Sequence, residues 1–193
     1  MVNLKDGSLH GYWVLTRIVS GGIEIGFNDI INKETKAEVE NMVLRAVASR
    51  ILDKPLFIRI PISRELSYLP ALSKNFVLRI PSDVSMKQLG EIMTVVRKGG
   101  LRTALDDYRT TGYELKEIRI GSFDYVFFNE DFYTNAKRSD IERIIASFKL
   151  FKTKVGFKNI DSEKKLKLAQ SIDVDLATGY LFGSESLPAG RIE

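Results

Sequence analysis

Asp106 and Asp107 stand side by side in the stretch ALDDYRTTGY, residues 104–113, where an apolar run ends and a polar loop begins. Adjacent carboxylates at a strand's end offer hard oxygen ligands, the donors that magnesium or manganese prefer. Two divalent cations held close together can activate a water and stabilise a leaving oxygen, but this takes more carboxylates than one pair supplies. Other chemistries are narrowed by composition. The chain has no cysteine, which removes disulfides, thiolate metal sites and cysteine nucleophiles together. His10 is the only histidine, so an imidazole triad or a histidine-rich zinc site would rest on it alone, and its KDGSLHG context predicts a solvated turn.

The elements that must carry these residues are short apolar, β-branched runs. YWVLTRIV (12–19), PLFIRIPI (55–62), FVLRIP (76–81), LRTALDD (101–107), DYVFFN (124–129), TKVGF (153–157) and LATGYLF (176–182) read as strands. Helical spacing fills most gaps between them. Val39, Val43 and Val47 repeat at i, i+4 within a helix predicted from Thr35 to Leu52. Ser82 or Asp83 can cap a helix through Lys98 that ends at Gly99-Gly100, and Ser139–Phe151 and Ser162–Ile172 show apolar stripes with charged outer faces. Such alternation predicts right-handed crossovers and a parallel sheet, open or closed into a barrel, and seven to eight units favour the barrel. In either case the loops after the strands' C-terminal ends form the binding face. Those ends carry Arg17, Ser63, Ser82, Asp106, Asp107, Asn129, Lys158 and Thr178.

With 193 residues and 44% hydrophobic content, one domain over residues 1–193 can bury a sizeable core. Lys plus Arg number 29 against 25 Asp plus Glu, a formal charge of +4, and no basic stripe with interleaved aromatics points to nucleic acid. No apolar run approaches the ~20 residues of a membrane span, and MVNLKDGSLH is too polar for a signal peptide, so a cytoplasmic protein is expected.

Four segments in order resemble the EAL domain family of cyclic di-GMP phosphodiesterases, from about Val2 to Pro188. ALDDYRTTGY is similar to the family's DDFGTGY loop, FDYVFFNEDF to vDylKiDrsF, DVDLATGYLFG to cdyvQGYLFg, and LKDGSLHGYWVLTR to tgkivGyEALlR, with Gly11, Tyr12, Leu15 and Arg17 in place. The resemblance implies an α/β fold, a modified TIM (β/α)8 barrel of the EAL type whose first strand is antiparallel. It also implies a two-metal site, magnesium or manganese, that hydrolyses cyclic di-GMP. Only Met1 to Leu4 are available for the family's first strand, so a truncated strand is expected there.

Carried over residue by residue, most of that site is replaced. The Glu of EAL falls on Trp13, the Asn ending the next strand on Pro61, and the two Glu of ExTE on Arg79 and Ser82. The aspartate pair is kept as Asp106 and Asp107. The Lys and Asp of KiD fall on Phe127 and Asn129, the two Glu of EGVE on Lys158 and Asp161, and the Gln of QGYLF on Thr178. The pocket thereby inverts its charge, and Arg79 and Lys158 are expected to pair with the two aspartates, leaving no metal cofactor. Trp13 either plugs the former pocket or offers a face on which guanine could stack. Arg17 either holds phosphate or bridges to Asp106 or Asp107. Glu65, Asp161 and Asp175 read as solvated or capping groups. If a nucleotide is still held, the resemblance assigns Trp13, Leu15, Arg17, Arg79, Asp106, Asp107, Lys158, Asp161, Thr178 and Phe182 to it. Three functions follow: an inactive domain that works through a protein partner, a metal-independent cyclic di-GMP receptor, and a working phosphodiesterase, which the missing ligands disfavour. A second copy of the chain is a further candidate partner.

Overall fold

The computed structural model describes residues 1–20, 22–26, 30, 32–48, 53–59, 75–82, 84–109 and 123–184. In chain order come β1 (Val2–Asn3), β2 (Tyr12–Trp13), β3 (Arg17–Ser20), β4 (Ile23–Gly26), α1 (Lys33–Ala48), β5 (Leu56–Arg59), β6 (Phe76–Pro81), α2 (Met86–Gly99) and β7 (Arg102–Tyr108). There follow β8 (Tyr125–Phe128), α3 (Glu130–Asn135), α4 (Arg138–Leu150), β9 (Lys154–Phe157), α5 (Glu163–Ser171), β10 (Leu176–Ala177) and a 3-10 turn at Tyr180–Phe182. Eight strands form one curled sheet in the order β1-β10-β9-β8-β7-β6-β5-β2, and β3 and β4 form a separate hairpin. Every neighbouring pair in the large sheet is parallel except β1, which runs antiparallel to β10. This is the modified α/β barrel with a short antiparallel first strand. Across the gap between the two edge strands, β1 meets residues 8–10, just before β2, through a Val2–Leu9 bridge and the bonds Asn3 N to Ser8 O and His10 N to Met1 O.

Because strand side chains alternate, each strand feeds two cores. Val126 and Phe128, Leu78 and Ile80, and Leu56 and Ile58 face outward to the helices, where Leu89, Ile92, Met93 and Val96 of α2 and Ile141, Ile145 and Phe148 of α4 meet them. Phe57, Val77, Ala104, Tyr125, Phe127 and Leu176 point inward and, with Met1 and the half-buried Trp13, fill the barrel. Gly156 makes room for this inner core, since a Cβ there would lie 2.5 Å from Phe127 Cδ1. Both faces being buried explains why these strands read as continuous apolar runs.

Several expectations are corrected. The strand expected over residues 12–19 stops at Trp13, because the Val14 carbonyl is taken by the Arg79 guanidinium at 2.7 Å and is lost to the ladder. The LATGYLF strand stops at Ala177, where Gly179 passes so close to Ile160 that a Cβ would overlap its backbone, and the chain turns into the 3-10 helix. Ser85 caps α2 rather than Ser82, in a reciprocal box with Gln88, and Gly100 closes the helix at φ 64°. Past the 124–129 strand, Phe132 and Tyr133 lie buried on α3, which starts where Asn129 accepts from Asp131 N. His10 is half-buried rather than solvated, with its ring against Tyr125 and Phe57. Pro61, Ser63, Glu65, Asp83, Gly112 and Tyr113 lie outside the described residues.

Candidate functional site

Inward parity continues past the apolar layer to the C-terminal ends of the strands. Two residues beyond Val77 is Arg79, two beyond Ala104 is Asp106, and two beyond Gly156 is Lys158. Asp106 is buried, and its Oδ2 accepts from Arg79 Nη2 at 2.7 Å and Nε at 3.1 Å. Its Oδ1 accepts from Lys158 Nζ at 2.8 Å, and the same ammonium donates to Asp107 Oδ1 at 2.7 Å. One lysine therefore bridges both aspartates. A register shift in β7 between Leu105 and Tyr108 puts Asp107 at φ 59°, a conformation Asp tolerates better than most side chains. That turn aims its carboxylate at Lys158 and Asn129, whose Nδ2 donates at 3.1 Å, while Ser82 Oγ donates to its carbonyl at 2.9 Å. Tyr133 donates to the Lys158 carbonyl at 2.6 Å and fixes the lysine's backbone.

Two cations and two anions make this layer neutral within itself. Burial pushes the Asp106 carboxyl up, but Arg79 and Lys158 together outweigh it and hold it down at about 2. Trp13 lies across the layer. Arg79 Cζ is 3.8 Å from its ring centroid and Lys158 Nζ 5.7 Å, while its other contacts are Phe57 (6.0 Å, stacked) and Phe127 (4.6 Å, edge-on). The tryptophan thus joins the inner apolar core to the ionic layer, which is the arrangement of a plug.

These residues do not fit a divalent cation. The point that two metal-binding aspartates would share is held by the Lys158 ammonium, and a dication about 4 Å from it would meet a repulsion of roughly 8 kcal/mol at an effective dielectric of 20. Among the described residues, no three His, Asp or Glu side chains come together as a metal site.

The remaining sequence-predicted residues lie apart from the cluster. Arg17 does not reach Asp106 or Asp107, because β3 leaves the barrel as a hairpin; it faces solvent, pairs with Glu24 at 3.5 Å and donates to the Tyr180 hydroxyl at 2.9 Å. Leu15 is 58% exposed. Asp161 is exposed and pairs with Lys165 at 2.8 Å, and Phe182 packs on the outer core. Thr178 is buried in line with Leu176, its amide bonded to Phe157 O. Asp175 sits at the other end of the barrel, where it accepts from Val155 N. Asn129 is both helix cap and clamp on Asp107; of these two roles only the cap has a local signal, the N-E-D run after a strand. The roles of the Val14 carbonyl and Tyr133 have no local signal.

The sequence matches no protein-family model and no curated protein. Solved structures do match it. The Bacillus subtilis YkuI protein, with an EAL domain, in complex with substrate c-di-GMP and calcium, superposes with a TM-score of 0.78 at 19% identity over 100% of this chain and 54% of that one. An EAL domain protein from Listeria monocytogenes gives 0.79 at 17% identity over 95% of this chain and 84% of that one. This chain has the EAL-domain fold. A third EAL structure, the Vibrio cholerae LapD S helix-GGDEF-EAL bound to c-di-GMP, gives 0.77 at 15% identity over 91% of this chain and 50% of that one. The chain thus spans about half the length of the first and third of these EAL proteins. No helix among the described residues is long and apolar enough to cross a membrane.

Proposed function

We propose that this chain is a catalytically inactive EAL-fold protein of cyclic di-GMP-type signalling, working in the cytoplasm as a regulatory module on a protein partner rather than by turnover. The observation that carries this reading is the Lys158 ammonium, hydrogen-bonded to Asp106 and Asp107 together. It neutralises the adjacent aspartate pair at the barrel's mouth, while Trp13 covers Arg79. Hydrolysis of a phosphodiester by the two-metal route would start from an aspartate pair already taken by Arg79 and Lys158.

A second reading, a metal-independent cyclic di-GMP receptor, is supported by Arg17. Its guanidinium stays exposed at the mouth, beside the Tyr180 ring at 5.9 Å, where it could hold a phosphate. One set of measurements separates the readings. Cyclic di-GMP is incubated with the protein in magnesium or manganese and the linear product sought, and Trp13 fluorescence is then followed during titration in EDTA. No product and no saturable quenching is the expected result. Product formed within tenfold of an intact EAL enzyme overturns inactivity, and micromolar EDTA-insensitive quenching lost in Arg17→Ala makes the protein a receptor.

A further inference from the structure

The N-terminal end of the barrel, opposite the mouth, gathers a second group of polar side chains. Lys154 is in register with inward-facing Tyr125, and Arg102 lies two residues before inward-facing Ala104, so both point to the barrel axis. Arg102 Nη1 donates to the Tyr125 hydroxyl at 3.4 Å. The His10 ring sits edge-on to Tyr125 with centroids 5.9 Å apart, and its Nε2 is buried with no hydrogen-bond partner. Burial holds this imidazole neutral, down to about 4, helped by the charges of Lys154, Arg102, the Met1 amino group and Lys54.

Three acidic groups at this end accept from backbone amides, and Asp175 also pairs with Lys149 at 3.5 Å. Asp124 accepts from Thr103 N at 2.8 Å, Asp6 from Ser8 N at 2.9 Å and Asp175 from Val155 N at 2.9 Å. Cations commonly gather here to meet helix C-termini, as Arg97 and Lys98 do in the last turn of α2. Arg102 and Lys154 stand on strands and point inward, so helix ends do not account for them. A buried imidazole nitrogen without a partner is costly unless something fills its hydrogen bond.

We propose that this end of the barrel binds a small phosphate-class anion, held by Arg102 and Lys154, with His10 Nε2 as the donor that completes the site on protonation. An anion placed among these cations removes their repulsion on the ring and favours the imidazolium, so the anion binds more tightly as pH falls through the His10 midpoint near 4. The inference is independent of the reading of the mouth.

Because His10 is the only histidine, its imidazole proton NMR signals are a single reporter. Inorganic phosphate is titrated against chloride at constant ionic strength from pH 3 to 7, with anionic phospholipid vesicles as a separate arm. Phosphate is expected to raise the His10 midpoint saturably by roughly one pH unit, a tenfold preference for the protonated form. Lys154→Gln, at an exposed position, should weaken the effect at least tenfold, and Arg102→Gln likewise. No saturable shift at tens of millimolar phosphate, or an unchanged titration in Lys154→Gln, overturns the site. A response to vesicles without one to phosphate also overturns it and assigns the face to a membrane surface.

Discussion

Replacing Lys158 with methionine removes one ammonium and keeps most of the side chain's volume. Three interactions change together. Asp106 keeps Arg79 but loses its second cation, Asp107 keeps only Asn129, and the two carboxylates face each other without a charge between them. Removing one partner of a buried pair costs about 3–5 kcal/mol. The Asp107 side chain is 41% exposed, so its share falls in the surface range of about 0–1 kcal/mol. Since Arg79 remains on Asp106, a net loss of about 2–3 kcal/mol is expected. For a chain of this length that lowers Tm by roughly 4–12 °C. The effect has a pH signature. Asp106 is depressed in the folded state, so its stabilisation is present above its unfolded value of 3.8 and is lost as pH falls toward about 2. Without Lys158 the carboxyl moves up, and the acid limb of the stability curve shifts to higher pH. Urea denaturation of parent and variant between pH 3 and 8 measures both. A variant within 0.5 kcal/mol of the parent, with the same acid limb, refutes the bridge.

Gly156→Ala should lose about 1–3 kcal/mol by overpacking, since the new methyl drives into Phe127, and a compensating Phe127→Leu should recover part of it in the same denaturation assay. His10 is depressed from 6.5 to about 4, so the unfolded chain binds the proton first and stability falls as pH drops through that window; His10→Leu should flatten the curve there, leaving the limb of Asp106 and the other depressed aspartates below pH 4. Trp13→Glu should give no metal-dependent hydrolysis of cyclic di-GMP, because Arg79 and Lys158 still occupy the aspartates; product above the uncatalysed background would contradict this.

Much of the barrel is legible because its strands are buried on both faces and its helices carry apolar stripes at 3.6-residue spacing. The inward parity Val77-Arg79, Ala104-Asp106 and Gly156-Lys158 then aligns the ionic cluster, which charge alone suffices to pair. What the sequence conceals are contacts between distant residues. Nothing near Val14 shows that Arg79, 65 positions away, will take its carbonyl and end the strand. Arg17 follows from the same event, since it reaches solvent and Tyr180 only because the chain has already left the barrel. His10 misleads in the opposite direction: its polar neighbours describe a turn, but the bridge between Val2 and Leu9 folds that turn onto the barrel floor.

The bridging lysine also sets the cost of going back. Lys158→Glu alone would place a third carboxylate beside Asp106 and Asp107 with Arg79 as the sole counter-charge, and Arg79→Glu alone would do the same with Lys158. Either single step crosses a stability valley before any metal ligand set is complete, and Trp13 and Phe127 still fill the cavity below. On the proposed reading several coordinated substitutions are needed at once to build a metal site here, and the cluster would then act as a ratchet against single-step gain of metal chemistry.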